Sequence, residues 1–142
     1  QRNKMNYWLM KSEPETWSWK QQVKAGSKGE GWDGVRNYQA SNNMKKMEKG
    51  DLCFFYHSVK ERDIVGIVKV VKKYHPDPTD KTKRFGMVSV AAVKALKNKV
   101  NLAQIKDHPK LNHLALVKQS RLSVMPIDKK SWTIICNLGG IK

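Results

Sequence analysis

The residues of this chain best suited to chemistry lie in the stretch GWDGVRNYQASN, Gly31 to Asn42. Trp32 offers an aromatic face on which a planar ring can stack, a contact worth about 1–3 kcal/mol per base where it forms. Asp33, Arg36 and Asn37 set an acceptor, a fork of donors and an amide within one short segment, the mixture needed to read the edge of a polar ring. Gly31 and Gly34 bracket the Trp-Asp pair and allow close approach of the backbone. A plainer reading uses the same residues: Trp32 anchors a core, and Asp33 caps a helix whose first N–H groups would otherwise lack partners. Two further polar turns, KSEP (Lys11 to Pro14) and YHS (Tyr56 to Ser58), each end an apolar run. Polar side chains at several strand ends can gather over one mouth of a small barrel, where ligand sites tend to lie. The parts for binding a planar polar ring are present; whether the three ends meet is decided by the fold.

Residue types for other chemistries lack the necessary spacing. His57, His75, His108 and His113 form neither H-x-E with P-C-x-x-C nor H-E-x-x-H, so no zinc site is expected. Cys53 and Cys136 lie far apart, each in an apolar run and without a C-x-x-C, which reads as two buried reduced thiols. His57 beside Ser58 lacks a G-x-S-x-G elbow, and neighbouring strand residues face opposite sides. There is no P-loop and no G-x-G-x-x-G. We expect no cofactor, no metal and no turnover; an enzymatic alternative would have to use Asp33 or His57 as a proton carrier.

Charge points to the partner. The chain has 142 residues with 28 Lys+Arg against 12 Asp+Glu, a formal +16 and a pI near 10.0, most of the bases being lysines. Such a potential favours polyanions, because each neutralised phosphate releases condensed counterions. A lysine-rich proteome would produce a similar surface without any such role, so charge alone does not decide. The length suits one domain, residues 1–142, with a single core. No secretory h-region and no run of about 18 apolar residues is visible, so we expect no membrane association and an intracellular monomer.

Hydrophobic patterning places the motifs. NYWLM (Asn6 to Met10) reads as a buried strand ending at KSEP, and Thr16 to Val23 as a helical turn capped by Thr16. The glycine-rich stretch Ala25 to Gly31 reads as a mobile loop. Val35, Tyr38, Met44 and Met47 fall on one face of a helix that Gly50 ends. Asp51 to Ser58 and the β-branched run Asp63 to Tyr74 form a hairpin through VKER, with Gly66 marking a bulge or a close backbone approach. His75 to Arg84 reads as an exposed loop and Phe85 to Leu96 as a strand. Asn101 caps a short helix, Leu122 to Ile127 is a strand, and Asp128 caps a last helix that stops at Gly139-Gly140. Strands mixed irregularly with short helices predict an α+β fold or small closed barrel, not a doubly wound sheet.

Five ordered blocks, YWLMKSEP, WDGVRNYQASN, GDLCFFYHS, IVGIVKV followed by YHPDPTD, and LALVKQSRLSVMPI, resemble the EVE-domain family over nearly the whole chain. The resemblance implies a PUA-like fold, a mixed β pseudo-barrel with peripheral short helices, related to the YTH readers of methylated adenine. It implies a nucleic-acid-binding module in which a modified base, notably 5-methylcytosine or 5-hydroxymethylcytosine in DNA or RNA, is flipped into a pocket beside a basic groove. Carried onto this chain, Lys11, Ser12 and Glu13 form one wall, and Trp32, Asp33, Gly34, Val35, Arg36 and Asn37 a second. Tyr56, His57 and Ser58 come from the opposite strand end, and Arg121, Leu122 and Ser123 sit near the mouth. Trp32 is then the stacking residue whose removal abolishes discrimination. The family usually reads YQARN where this chain has YQASN, so Ser41 replaces an arginine that serves either an internal ion pair or a phosphate. The alternative is a general PUA-type binder of structured tRNA or rRNA with no modification specificity.

Overall fold

The computed structural model describes residues 5–141. The chain runs β1 (Tyr7–Ser12), α1 (Trp19–Lys24), a 3-10 turn (Gly26–Lys28), β2 (Glu30–Gly31), α2 (Tyr38–Lys45), β3 (Leu52–His57), β4 (Asp63–Pro76) and β5 (Gly86–Asn101). It continues through α3 (Leu102–Asp107), α4 (Ala115–Lys118), β6 (Val124–Ile127) and α5 (Lys129–Leu138). The strands form one mixed sheet in the order β2-β5-β4-β3-β1-β6, curved into an open pseudo-barrel. β1 runs parallel to β3, with Lys11 opposite Tyr56 and Ser12 opposite His57, and antiparallel to β6. The expected α+β class and the β3–β4 hairpin are both present. No helix among the described residues is long and apolar enough to cross a membrane.

Curvature comes from irregular pairing along the two long strands. The register between β4 and β5 shifts four times, and β3 shifts against β4 between Phe55 and Tyr56; each added residue bends its strand and increases its twist. At Gly66 the expected close approach is real: a Cβ there would lie 2.5 Å from the Trp19 indole. The indole lies across the strand in the space a side chain would fill.

The core gathers on β1, β3 and β4, where Leu9, Met10, Phe54, Phe55 and Ile64 are fully buried. α5 closes one side by stacking Trp132 on Phe54 and Tyr7, at 3.8 and 4.6 Å between ring centroids. The predicted caps Asn101 and Asp128 both accept from N–H groups of the first turn. The expected cap of α1 is corrected: Ser18 caps it in a reciprocal box with Gln21, whereas the N–H groups of Thr16 and Trp17 both turn back to the Glu13 carbonyl. Thr16 therefore lies inside the turn that precedes the helix. α2 begins at Tyr38 rather than Val35, with Asn37 and not Asp33 as its cap.

The segment after Tyr74 is not a simple exposed loop. β4 continues to Pro76, and the Asp77 and Asp80 carboxylates are buried. Asp77 accepts from the N–H and hydroxyl of Thr79, and Asp80 from the same two groups of Thr82. Asp80 also takes the N–H groups of Arg84 and Phe85. The repeated Asp-x-Thr spacing is the local signal, since Asp side chains bond to backbone two residues on. The Thr82 hydroxyl is the main reason the Asp80 carboxyl is lowered to about 2, against the opposing effect of burial and with help from the N–H groups of Phe85 and Thr82.

Two outcomes follow. Gly66→Ala forces a methyl against the Trp19 ring and lowers stability by about 1–3 kcal/mol in urea unfolding. The loss shrinks when Trp19 is cut to Leu in the same chain, and purely additive losses would contradict the contact. For Asp80 the folded-state pKa lies below the ordinary 3.8, so its contribution is complete above that value and disappears as pH falls through about 2. Asp80→Asn accordingly melts below the native protein at neutral pH, and the gap between the two melting curves narrows between pH 4 and 2.5. A constant gap would show that the ionised form is not preferred.

Candidate functional site

At the end of β1 the chain doubles back over itself. Ser12 donates its hydroxyl to the Trp17 carbonyl at 2.6 Å, and Trp17 donates Nε1–H to Gln22 at 2.9 Å. The Gln22 side chain is fully buried and donates in turn to the Val90 carbonyl of β5 at 3.0 Å. This strut fixes the Trp17 indole beside the KSEP turn. Opposite it, β2 pairs with β5, and the Trp32 N–H continues the ladder to the Val88 carbonyl at 2.8 Å. The chain then turns at Gly34, whose φ of +80° disfavours any side chain, and its N–H reaches Asp77 at 2.9 Å.

Between these walls lies a cavity of about 590 Å³ lined by Lys11, Ser12, Glu13, Thr16, Trp17, Glu30, Gly31, Trp32, Asp33 and Gly34. Its charge runs opposite to that of the protein: Glu13, Glu30 and Asp33 face a single ammonium, Lys11. Lys11 donates to the Ser120 carbonyl at 2.9 Å and lies 5.7 Å from the centre of the Tyr56 ring. Burial pushes its pKa below the usual 10.5. A lining rich in carboxylates repels phosphate and suits a ring that presents N–H donors, with one cation left to meet a ring carbonyl.

Of the residues singled out in the sequence, the structure brings Lys11, Ser12, Glu13, Trp32, Asp33 and Gly34 to this cavity and places the others elsewhere. Trp32 is only 7% exposed and packs edge-on against Phe55 at 5.4 Å, so the core reading and the pocket reading both apply to it. Val35 is buried. Arg36 turns to Asp77 at 3.1 Å and to the Thr79 hydroxyl at 2.9 Å. Asn37 caps α2 and shares a shallow depression with Arg121 and Leu122. Ser123 is absent from the cavity lining and joins its wall through its carbonyl, which accepts from the Lys11 N–H.

The YHS turn supports the site from behind. Tyr56 is buried, which raises its hydroxyl to about 12, with Arg62 opposing and Asp63 adding to the shift. His57 Nε2 accepts from the Trp19 N–H at 3.0 Å, leaving Nδ1 to carry the proton toward Glu61 at 3.4 Å. With both nitrogens engaged and away from the cavity, His57 is a poor proton carrier. The Ser58 N–H ties β3 to the Ser12 carbonyl. Ser41 is an interior residue: its Oγ lies 2.7 Å from the Tyr74 hydroxyl, which also accepts from the Gly86 N–H.

Sequence reasoning missed Thr16, Trp17 and Glu30 in the lining and Gln22 beneath it. Trp17 had only a weak local signal, since Ser12-Glu13-Pro14 marks a turn at the strand end without saying which side chain returns over it. Gln22 had none, because its partners are a neighbouring indole and a strand far along the chain.

The geometry agrees with relatives of known structure. A protein from Agrobacterium tumefaciens, Atu2648, is 46% identical and superposes with a TM-score of 0.94, covering 96% of this chain and 94% of that one. Human thymocyte nuclear protein 1 (THYN1) is 33% identical, with 96% of this chain and 75% of the human protein aligned. The crystal structure of human THYN1 in complex with 5-methylcytosine-containing DNA matches with a TM-score of 0.88 at 31% identity, covering 96% and 99% of the two chains. A more distant likeness, 17% identity and a TM-score of 0.56, to the YTH domain of Zygosaccharomyces rouxii MRB1 covers 99% of this chain and 90% of that one, and shows the shared PUA-like fold. Residues 6–138 match the EVE domain, and the chain belongs to the EVE-domain family.

Proposed function

We propose that this chain reads a modified base, a modified cytosine in DNA or RNA, flipped into the cavity between the KSEP turn and the GWDG turn. The observation that carries the reading is an acid-lined, indole-walled pocket in a protein of charge +16. The outer surface attracts the strand, while the pocket rejects its phosphates and accepts a ring. Its volume, about 590 Å³, falls within the ~300–1,000 Å³ usual for small-ligand sites. The human relative crystallised with 5-methylcytosine-containing DNA supports the same ligand class.

Each lining group has a matching role. Trp17, half-buried and held by Gln22, stacks on the ring. Glu13, Glu30 and Asp33 accept from the exocyclic amino group, and Lys11 donates to the ring carbonyl. Tyr56, His57, Ser58 and Ser123 brace the walls, while Arg36, Asn37, Arg121 and Leu122 belong to the surface over which the strand passes. Flipping costs a few kcal/mol, which stacking and edge contacts must offset. A base without the amino group forfeits these contacts, at a modest cost because Glu13, Glu30 and Asp33 are exposed to water, and a methyl in an apolar niche adds only about 1–3 kcal/mol. The protein acts as a monomer by binding, in the cytoplasm of a bacterium or the nucleus of a eukaryote, with no cofactor.

The test uses matched DNA and RNA strands carrying unmodified, methylated or hydroxymethylated cytosine or methylated adenine, at two salt concentrations. We expect at least a tenfold preference, about 1.4 kcal/mol, for one modified cytosine. Trp17→Ala, checked for retained melting temperature, and the exposed Glu30→Gln should each erase most of that preference while leaving affinity for the unmodified strand nearly intact. Trp32→Ala is the poorer probe, since removing a buried tryptophan costs about 3–5 kcal/mol of stability. Equal, salt-sensitive binding to every strand would leave the general structured-RNA reading, which the charge favours, and sink the pocket.

A further inference from the structure

Tyr38 breaks the pattern of its helix. Spacing places it on the same face as Met44 and Met47, which are fully buried, yet it is 61% exposed. As the first residue of α2 it lies outside the barrel, its ring 4.9 Å from Phe85 and tilted by 40°. Phe85 is held from the other side of the structure's loop: Asp80 accepts its N–H at 2.7 Å, and the Arg36 guanidinium lies 5.9 Å from its ring centre. Arg36 is itself fixed on Asp77 and Thr79. The ring is thus backed by an ordered aromatic and cationic support while the residue stays largely open to solvent.

Cations surround this support. Phe85 borders a depression of about 690 Å³ whose rim carries Lys45, Lys81, Lys83 and Arg84. These four side chains are exposed and form no ion pair with a carboxylate among the described residues. The two acids at the depression, Asp77 and Asp80, are turned inward onto hydroxyl and N–H donors. On the other flank, Asn37 and Gln39 line the depression that holds Lys118 and Arg121. Asp77 links the assembly to the base pocket, since it binds both Arg36 and the Gly34 N–H of the pocket wall.

We propose that Tyr38 is a stacking platform for an unpaired base, with Lys45, Lys81, Lys83 and Arg84 taking phosphates of the same strand. The ligand is single-stranded nucleic acid, or a strand opened beside the base in the pocket. A base inside a duplex has both faces covered, so within a strand the exposed ring selects an unpaired base. Placing that base next to the flipped one rests on the reader function proposed above; the platform itself does not.

The experiment measures binding of native protein, Tyr38→Ala and Tyr38→Trp to single-stranded DNA and RNA octamers, with and without one modified cytosine, and to the free modified nucleoside. Tyr38→Ala should weaken every octamer about tenfold, modified and unmodified alike, and Tyr38→Trp should restore it. The free nucleoside, which reaches only the pocket, should bind Tyr38→Ala as it binds the native protein. Removing Lys81 or Arg84 should lower the slope of log K against log salt by about 0.7 each. Octamer affinity within twofold of native for Tyr38→Ala overturns the platform even if the modified cytosine is still preferred. Tyr38-dependent binding with no preference for any modification upholds the platform and overturns the reader.

Discussion

The Phe55 ring is the point through which the barrel and the candidate site are joined. It sits in the middle of β3, fully buried, with three aromatic neighbours set edge-on: Trp19 at 5.4 Å, Trp32 at 5.4 Å and His57 at 5.6 Å. Edge-to-face contacts of this kind add to area burial and fix relative orientation. Trp19 belongs to α1, Trp32 to the segment after β2, and His57 to the end of β3. One side chain therefore sets where a helix, an edge strand and a turn stand relative to each other. Trp32 can form a pocket wall because its other side is locked in this cluster.

A second constraint separates the charges. Nearly all the positive excess lies outside, while the cavity gathers Glu13, Glu30 and Asp33 around Lys11. Inside the loop before β5, Asp77 and Asp80 are kept ionised by hydroxyl and N–H donors rather than by the surrounding lysines. Internal donors, with Arg36 on Asp77, thus satisfy the carboxylates and leave Lys45, Lys81, Lys83 and Arg84 available to solvent and to polyanions. A surface in which each lysine were paired with a nearby acid would have the same folded shape and far weaker attraction for a strand.

How much of this was legible in the sequence depends on how local the cause is. Caps at Asn101 and Asp128, the hairpin through VKER and the close approach at Gly66 involve short spacings or a single unusual residue, and all are present as read. Six of the ten residues lining the candidate pocket are likewise visible at strand ends, Lys11 to Glu13 and Trp32 to Gly34. The misreadings share a different origin. Arg36 was grouped with the pocket, but a buried Asp77 from a distant loop draws it away. Tyr38 fits the apolar period of α2, but the helix starts there, and its ring finds Phe85 outside the barrel instead of the core inside it. Trp17 and Gln22 act only because β5 supplies the Val90 carbonyl. Periodicity carries no information about such partners.

The one parallel pairing among the described residues, β1 with β3, also sets an order of assembly. β3, β4 and β5 follow one another as antiparallel neighbours and can join as they are made. β1 lies between β3 and β6, so its two edges are covered only after Leu52 to His57 and then Val124 to Ile127 have arrived. Closing loops of that length precedes any gain from the contacts, which slows such pairings. The apolar run Trp8-Leu9-Met10 therefore waits longest for its neighbours, although it precedes them in the chain. Because Lys11, Ser12 and Glu13 continue directly from that strand, the pocket is among the last parts of the molecule to acquire its shape, and a chain stopped before β6 retains an uncovered apolar edge beside an unfinished site.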